Sequence, residues 1–355
     1  MTKRVLFTGG GSAGHVSVNV ALIPRFKEKG WTISYIGSHN GIEKEMITKQ
    51  FPAVPYHGIA SGKLRRYFSM KNFTDPFRVL AGVMQAFRVI KKEKPDVIFS
   101  KGGFVSVPVL LAAKMAKVPA VIHESDVTPG LANKLAIPFA TKIYTTFKET
   151  LQFMPADRST CAGAIIREDL FSGSRAKGEE LTELHASKPV LMVMGGSLGA
   201  QGINKIVRDS LDQLLEHFSI IHLCGKGNLL QKPREGYVQY EFVTDELPHL
   251  LEITDLVVSR AGSNSIFEFL ALKKPMLLIP LPRESSRGDQ ILNANSFVQH
   301  GFALKLEEEH LTQECFITTV RQLRDQQWSM VEKMDEAPPS YTIDQMVDEI
   351  ASLTK

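Results

Sequence analysis

TGGGSAGH, residues Thr8 to His15, sits between the apolar run Val5-Leu6-Phe7 and a segment with helical apolar spacing. Gly9, Gly11 and Gly14 spell G-x-G-x-x-G at a strand-to-helix junction, the fingerprint of a dinucleotide-binding turn. The chemistry behind it is more general. A helix N-terminus carries unpaired N–H groups and a partial positive charge, and glycine lets a phosphate come close to the backbone. An NAD-binding turn also needs a carboxylate at the end of the second strand, about 20 residues on, to hold the ribose. That place reads Ile36-Gly37-Ser38-His39-Asn40 and has none. The loop does not end in Gly-Lys-Ser/Thr either, so the chain is not a P-loop ATPase.

The turn recurs. VLFTGGGSAG (5–14) and VLMVMGGSLG (190–199) align without a gap, with Ser12 on Ser197 and Gly14 on Gly199. Each opens a series of short apolar runs alternating with helical patterns. Strands are predicted over 4–9, 31–37, 54–59, 96–101, 119–124 and 142–147, then over 189–194, 219–224, 238–243, 255–259 and 275–281. Helices are predicted over 16–29, 78–93, 105–116, 200–217, 263–272 and 288–300. This alternation means parallel sheets with helices on both faces, an α/β chain of two doubly wound domains. The boundary is expected between Gly163 and Ser187, where the chain turns polar. A last helix is expected over 341–355, where Ile343, Met346, Val347, Ile350 and Leu353 recur at helical spacing.

Composition narrows the class. The 355 residues are 43% hydrophobic and 23% charged, which fits a folded globular protein of two domains. Three scattered cysteines make neither a disulfide framework nor a metal knuckle, and favour a reducing compartment. No run approaches the ~20 apolar residues that span a bilayer, and no signal peptide is visible. A net charge of +4 leaves any basic surface to local clustering. SGKLRRYFSMKNFTDPFR (61–78) is such a cluster. Lys63, Leu64, Arg65, Arg66, Tyr67 and Phe68 mix basic heads with apolar bodies, as an anionic bilayer surface favours. No nucleic-acid motif accompanies them.

Six segments carry a more specific signal. GGSAGHV, KPDVIFSKGGFVSVP, HESDVTPGLANK, MGGSLGAQGIN, SRAGSNSIFE and RGDQILNAN occur in this order across nearly the whole chain. Together they resemble the MurG family, the N-acetylglucosaminyltransferases of peptidoglycan synthesis. The resemblance implies the GT-B glycosyltransferase fold, two Rossmann-like domains facing across a cleft. It implies an N-terminal domain, 1–163, that binds acceptor and membrane and receives the helix 341–355, and a C-terminal domain, 164–340, that binds the UDP-sugar. The implied reaction is inverting transfer of N-acetylglucosamine from UDP-N-acetylglucosamine to the 4-hydroxyl of undecaprenyl-diphosphate-linked muramoyl pentapeptide. The implied location is the cytoplasmic face of the bacterial membrane, as a peripheral protein, with no cofactor and no metal. D-x-D, the element of metal-dependent sugar transferases of another fold, is absent from the sequence.

Roles carry over by position. His15 matches the motif histidine, a candidate base, and a neutral imidazole suits that task near pH 7. Asp126 stands where the family has asparagine and is a second candidate base. Ser12, Ala13 and Gly14 form the first glycine loop, Ala13 replacing a glycine. Arg167 and Ser197 would hold the donor diphosphate, and Val243 would lie against uracil. Ser263, Asn264 and Ser265 begin the helix beside the phosphates, and Glu268 would bind ribose. From spacing alone, Ser265 and Glu268 also read as a capping box. Asp289 and Gln290 would contact the sugar, Asp289 replacing a glutamine. Two other readings share these features: a UDP-N-acetylglucosamine 2-epimerase, and a nucleotide-sugar-binding protein without catalysis.

Overall fold

The computed structural model describes residues 2–12, 14–62, 71–184, 188–196, 199–230 and 234–354. Seven strands, β1 (Arg4–Thr8), β2 (Thr32–Ser38), β3 (Tyr56–Ile59), β4 (Val97–Ser100), β5 (Ala120–Glu124), β6 (Lys142–Thr145) and β7 (Ser159–Cys161), form one sheet in the order β3-β2-β1-β4-β5-β6-β7. Six more, β8 (Val190–Met194), β9 (Ser219–Leu223), β10 (Tyr237–Tyr240), β11 (Leu256–Ser259), β12 (Met276–Leu278) and β13 (Ala303–Lys305), form a second in the order β10-β9-β8-β11-β12-β13. All the paired neighbours run parallel. The central strands begin as continuous apolar runs, Val97–Phe99, Ala120–Ile122 and Leu256–Val258, because helices cover both their faces.

The α-helices, in chain order, are α1 (Gly14–Glu28), α2 (Ile42–Gln50), α3 (Lys71–Glu93), α4 (Ser106–Ala116), α5 (Leu131–Ala136), α6 (Arg175–Thr182), α7 (Gln201–Asp209), α8 (Leu211–Leu215), α9 (Leu247–Ile253), α10 (Ser263–Ala271), α11 (Asp289–Gln299), α12 (Gln313–Asp335) and α13 (Ile343–Ser352). The single helix expected over 200–217 is two, because Ser210 leaves helical geometry at ψ 2°. The chain divides into two compact units, residues 1–166 with 339–355, and residues 167–338. The change falls three residues past Gly163 because β7 and the segment after it belong to the first sheet and its core, where Ala162 and Ile165 are buried.

In unit 1, α13 starts at a capping box between Thr342 and Gln345. It buries Ile343, Met346, Val347 and Ile350 in one cluster with Val5, Phe7, Leu22 and Phe26. The outgoing and returning chain touch where they leave the unit. Tyr341 N donates to the Ala162 carbonyl at 2.7 Å and Ala164 N to Ser340 Oγ at 3.1 Å. Gly163 has φ 73° there, and a Cβ on it would lie 2.2 Å from Ser340 Oγ. Unit 2 has its own core, in which Leu191, Val193, Val207, Leu256 and Val258 meet Phe316, Val320 and Leu323 of α12.

Each sheet reverses its winding at one place, between β1 and β4 and between β8 and β11. The crevice beyond the carboxyl ends of the strands at such a reversal is where open α/β sheets bind ligands. Both glycine turns leave the sheet there, one from β1 and one from β8.

Candidate functional site

The carboxyl edge of unit 1 is an interlock of two glycine turns. Gly10 N donates to the Gly102 carbonyl at 3.2 Å and Lys101 N to the Thr8 carbonyl at 3.0 Å. Gly103, at φ 85°, passes so close that a Cβ would lie 2.1 Å from the Gly10 oxygen. Beneath the first turn lies Glu43, fully buried, whose carboxylate accepts from Gly11 N at 3.1 Å and from Ser38 N at 2.9 Å. The N–H groups of Gly10, Gly11 and His15 are thus spent inside the protein, the last on the Ser12 carbonyl. His15 stands half-buried at the start of α1, its Nδ1 3.1 Å from the Gly10 carbonyl and 3.0 Å from Ser12 Oγ.

Asp126 is set by a different carboxylate. Glu124, at the end of β5, accepts from Ser125 N (2.8 Å) and Asp126 N (3.0 Å) on one oxygen. Its other oxygen accepts from Gly130 N (3.0 Å) and Asn133 Nδ2 (2.8 Å). This ties the loop 125–130 to the end of β5 and to the first turn of α5, with Asp126 half-buried on it. Lys101 lies buried behind, its ammonium donating to Ser125 Oγ. Burial pulls its pKa down to about 8, against the opposing pull of Glu124 and Asp126. Burial, helped by the Lys101 charge, holds the neighbouring His123 well below the ordinary histidine range.

Unit 2 carries a pocket of about 470 Å³ at the end of β8. Gly195, Gly196, Gly199 and the first residues of α7 line one side, and Gly262, just before α10, and Ser265, in its first turn, another. Two helix N-termini therefore face one space, an arrangement that favours a polyanion. Arg260 also lines it, its Nη1 donating to Glu308 Oε2 at 2.6 Å and to the carbonyls of Ile279 and Pro280. Gln290 lines it with its amide oxygen taken by Leu281 N at 3.0 Å, which leaves its N–H₂ as the donor end.

The remaining residues singled out in the sequence fall around this pocket or apart from it. Ser263 and Asn264 open α10, Ser263 buried. The residue before the helix is Gly262, so Ser265 lies inside the first turn and cannot cap it; Glu268 is not a capping-box glutamate. Glu268 instead sits 3.9 Å from the Arg167 guanidinium, about a fifth of its side chain exposed. Burial raises its pKa to about 7, Arg167 opposing and Asp169 adding to the rise. Arg167, the first residue of unit 2, also pairs with Asp169 at 3.2 Å. Asp289 pairs with Arg287 at 3.0 Å. Val243 is buried just past β10, beside the exposed Phe242. Ala13, Ser197 and Lys63, Leu64, Arg65, Arg66, Tyr67 and Phe68 lie outside the described residues. Glu43, Lys101 and Glu124 are not among the sequence candidates; Lys101 and Glu124 had a signal, their places inside KPDVIFSKGGFVSVP and HESDVTPGLANK, and Glu43 had none.

Two parallel doubly wound units, each with a glycine turn at its reversal point, are the architecture of the GT-B fold. The N-terminal domain of glycosyltransferase family 28 matches residues 5–145 and the C-terminal domain of that family matches residues 190–350. The chain belongs to glycosyltransferase family 28. It is 54% identical, over 99% of its length and all of the relative's, to the UDP-N-acetylglucosamine–N-acetylmuramyl-(pentapeptide) pyrophosphoryl-undecaprenol N-acetylglucosamine transferase of Geobacillus kaustophilus. It is 52% identical, over 99% of its length and 98% of the relative's, to the protein of that name in Staphylococcus aureus. Among solved structures, Acinetobacter baumannii MurG superposes with a TM-score of 0.78 at 24% identity over 99% of both chains. A putative UDP-N-acetylglucosamine 2-epimerase from Listeria monocytogenes superposes at 0.66 and 12% identity, over 99% of this chain and 95% of that one, so the fold is shared beyond transferases.

Proposed function

We propose that this chain transfers N-acetylglucosamine, with inversion, from UDP-N-acetylglucosamine to the 4-hydroxyl of an undecaprenyl-diphosphate-linked muramoyl pentapeptide. The observation that carries this is full-length identity above one half to relatives named for that reaction. The donor belongs to unit 2. Its diphosphate takes the pocket faced by α7 and α10, and Arg167 adds a fixed cation. Glu268, beside Arg167, accepts from the ribose hydroxyls. The acceptor belongs to unit 1, with His15 as general base: if Nδ1 donates to the Gly10 carbonyl, Nε2 carries the lone pair. As that nitrogen takes the hydroxyl proton, the sugar passes through an oxocarbenium-like state and UDP leaves. The charge growing on UDP is met by helix N-termini and Arg167.

The lipid end of the acceptor requires a membrane face. Among the described residues no helix is long and apolar enough to cross a membrane. Phe77, Leu80 and Met84 of α3 are exposed at 76%, 62% and 46%, at spacings that put them on one stripe. They follow directly on the basic-aromatic stretch that begins at Lys63, and this continuity supports peripheral binding to an anionic surface.

The deciding experiment incubates the protein with radiolabelled UDP-N-acetylglucosamine and a short-chain lipid-linked muramoyl pentapeptide. Label is expected in the lipid, with UDP released. Donor binding without transfer would make the chain a sugar-nucleotide-binding protein, and a rearranged UDP-sugar would make it an epimerase.

A further inference from the structure

We propose that Glu43 is a positioning residue for the acceptor-side base: through one peptide group it places the proton of His15 on Nδ1. The inference rests on the reading of His15 as that base. Glu43 lies in the first turn of α2, fully buried. One of its oxygens accepts from Ser38 N (2.9 Å) and Ser38 Oγ (2.5 Å), and the other from Gly11 N (3.1 Å). A buried carboxylate is costly unless its lone pairs are met, and here neutral donors meet them. Space is made for it too. A Cβ on Gly10, Gly37 or Gly41 would come within 2.4, 2.9 or 2.1 Å of Glu43 atoms. Within the first turn, Gly10 is therefore required by an internal carboxyl side chain, with no external phosphate needed to account for it.

The Gly11 N–H and the Gly10 C=O are the two ends of one peptide group, and in a planar trans peptide they point in opposite directions. Glu43 accepts from the N–H end. The carbonyl end lies 3.1 Å from His15 Nδ1. A carbonyl only accepts, so Nδ1 must carry the hydrogen and Nε2 the lone pair. Ser12 Oγ, 3.0 Å from the same nitrogen, can donate or accept and does not decide the tautomer. The peptide joins two glycines, so reversing its plane meets little steric resistance. Reversal would aim the N–H at His15 and move the ring hydrogen to Nε2, leaving no base there. What opposes reversal is a side chain beneath the loop that can only accept.

Glu43→Gln tests this directly. The donors of Ser38 claim the amide oxygen, which turns the NH₂ toward the loop, where the reversed peptide offers it the Gly10 carbonyl. Imidazole ¹⁵N shifts of His15 are expected to show the Nδ1–H tautomer in the wild type and a shift toward Nε2–H in Glu43→Gln. Turnover should fall about tenfold or more, since a misplaced proton disables a general base, with the donor KM unchanged. In a His15→Ala background the same substitution should change kcat less than about twofold, because coupled residues are not additive. Glu43→Asp, still acceptor-only, should retain the Nδ1–H tautomer. The proposal is overturned by an Nε2–H tautomer in the wild type, by an unaltered tautomer in Glu43→Gln, or by equal fractional losses in both backgrounds. If Glu43→Gln does not fold, the wild-type shifts and Glu43→Asp decide. These shifts need no turnover, so a wild type that transfers no sugar counts against the functional reading and leaves this test standing.

Discussion

Glu268 is a carboxylate held against its own preference. Its folded pKa of about 7 lies above the ordinary 4.5. Protonation therefore favours the fold, and this contribution is full below about pH 4.5 and is lost as pH rises through about 7. The shift corresponds to something on the order of 3 kcal/mol. Donor binding runs the other way, because the ionised carboxylate is the better acceptor for ribose hydroxyls. We expect the donor KM to rise as pH falls below 7, while the donor-free protein becomes more resistant to denaturant. Glu268→Gln should flatten both slopes and raise KM roughly ten- to a hundredfold, the loss of a charged hydrogen bond. Matched titrations of KM and denaturation midpoint check it; a pH-independent KM in the wild type would return Glu268 to a structural role. For the base, His15→Ala is expected to lower kcat by ~10²–10⁴-fold with donor affinity kept, and Asp126→Asn to do less. Single-turnover rates decide, and the reverse ranking would move the base to Asp126. The residues on the loops that bear the chemistry were legible because each motif lies on one continuous stretch. Glu43 was not, because its partner Gly11 comes from another part of the sheet edge and no spacing along the chain brings them together; Lys101 lies on such a stretch, but its partner Ser125 lies on a different one.

Among the elements, the central strands announce themselves because burial on both faces demands unbroken apolar runs, as in Val5–Phe7 and Ala120–Ile122. The edge strands β7 and β13 do not. Each has three residues, partly exposed, and reads as loop. The helix α12 was also not read, since its buried positions from Phe316 to Met334 are diluted by many polar ones. The helix α13, by contrast, shows its whole buried face in its periodicity. The helix α3 carries an exposed apolar stripe, Phe77, Leu80 and Met84, and vesicles can check its role. The wild type should co-sediment with anionic vesicles at low salt and detach as salt rises, since attraction of basic residues fades within a Debye length. Phe77→Ser with Leu80→Ser should weaken binding at every salt level, whereas Lys63, Arg65 and Arg66 to serine should remove mainly the salt-sensitive part. Activity on a soluble acceptor analogue should survive both. Indifference of the wild type to vesicles would leave the stripe without a role.

At the scale of the whole molecule, the two units own separate cores but share one chain that leaves unit 1 and comes back to it. The returning segment matters more than its length suggests. Ile343, Met346, Val347 and Ile350 are all buried against the β1 and α1 side chains. At roughly 1.5–3 kcal/mol for each buried apolar side chain, their removal costs about 6–12 kcal/mol. That is comparable to the entire stability of an ordinary domain, about 5–15 kcal/mol. Deleting residues 339–355 should therefore unfold unit 1. The buried cluster of unit 2 includes none of those residues, and every residue lining its pocket lies within 167–338. The truncated protein is expected to bind UDP-N-acetylglucosamine with unchanged affinity while transferring no sugar. Hydrogen exchange should show protection lost across β1 and β2 and kept across β8 and β11. Saturating donor at about a hundred times its Kd should still stabilise unit 2 by roughly 2.7 kcal/mol, the value set by mass action alone. If the deletion abolishes donor binding, the nucleotide site depends on unit 1 and its assignment to unit 2 is wrong. If unit 1 stays protected, α13 is an accessory to that core and not a part of it.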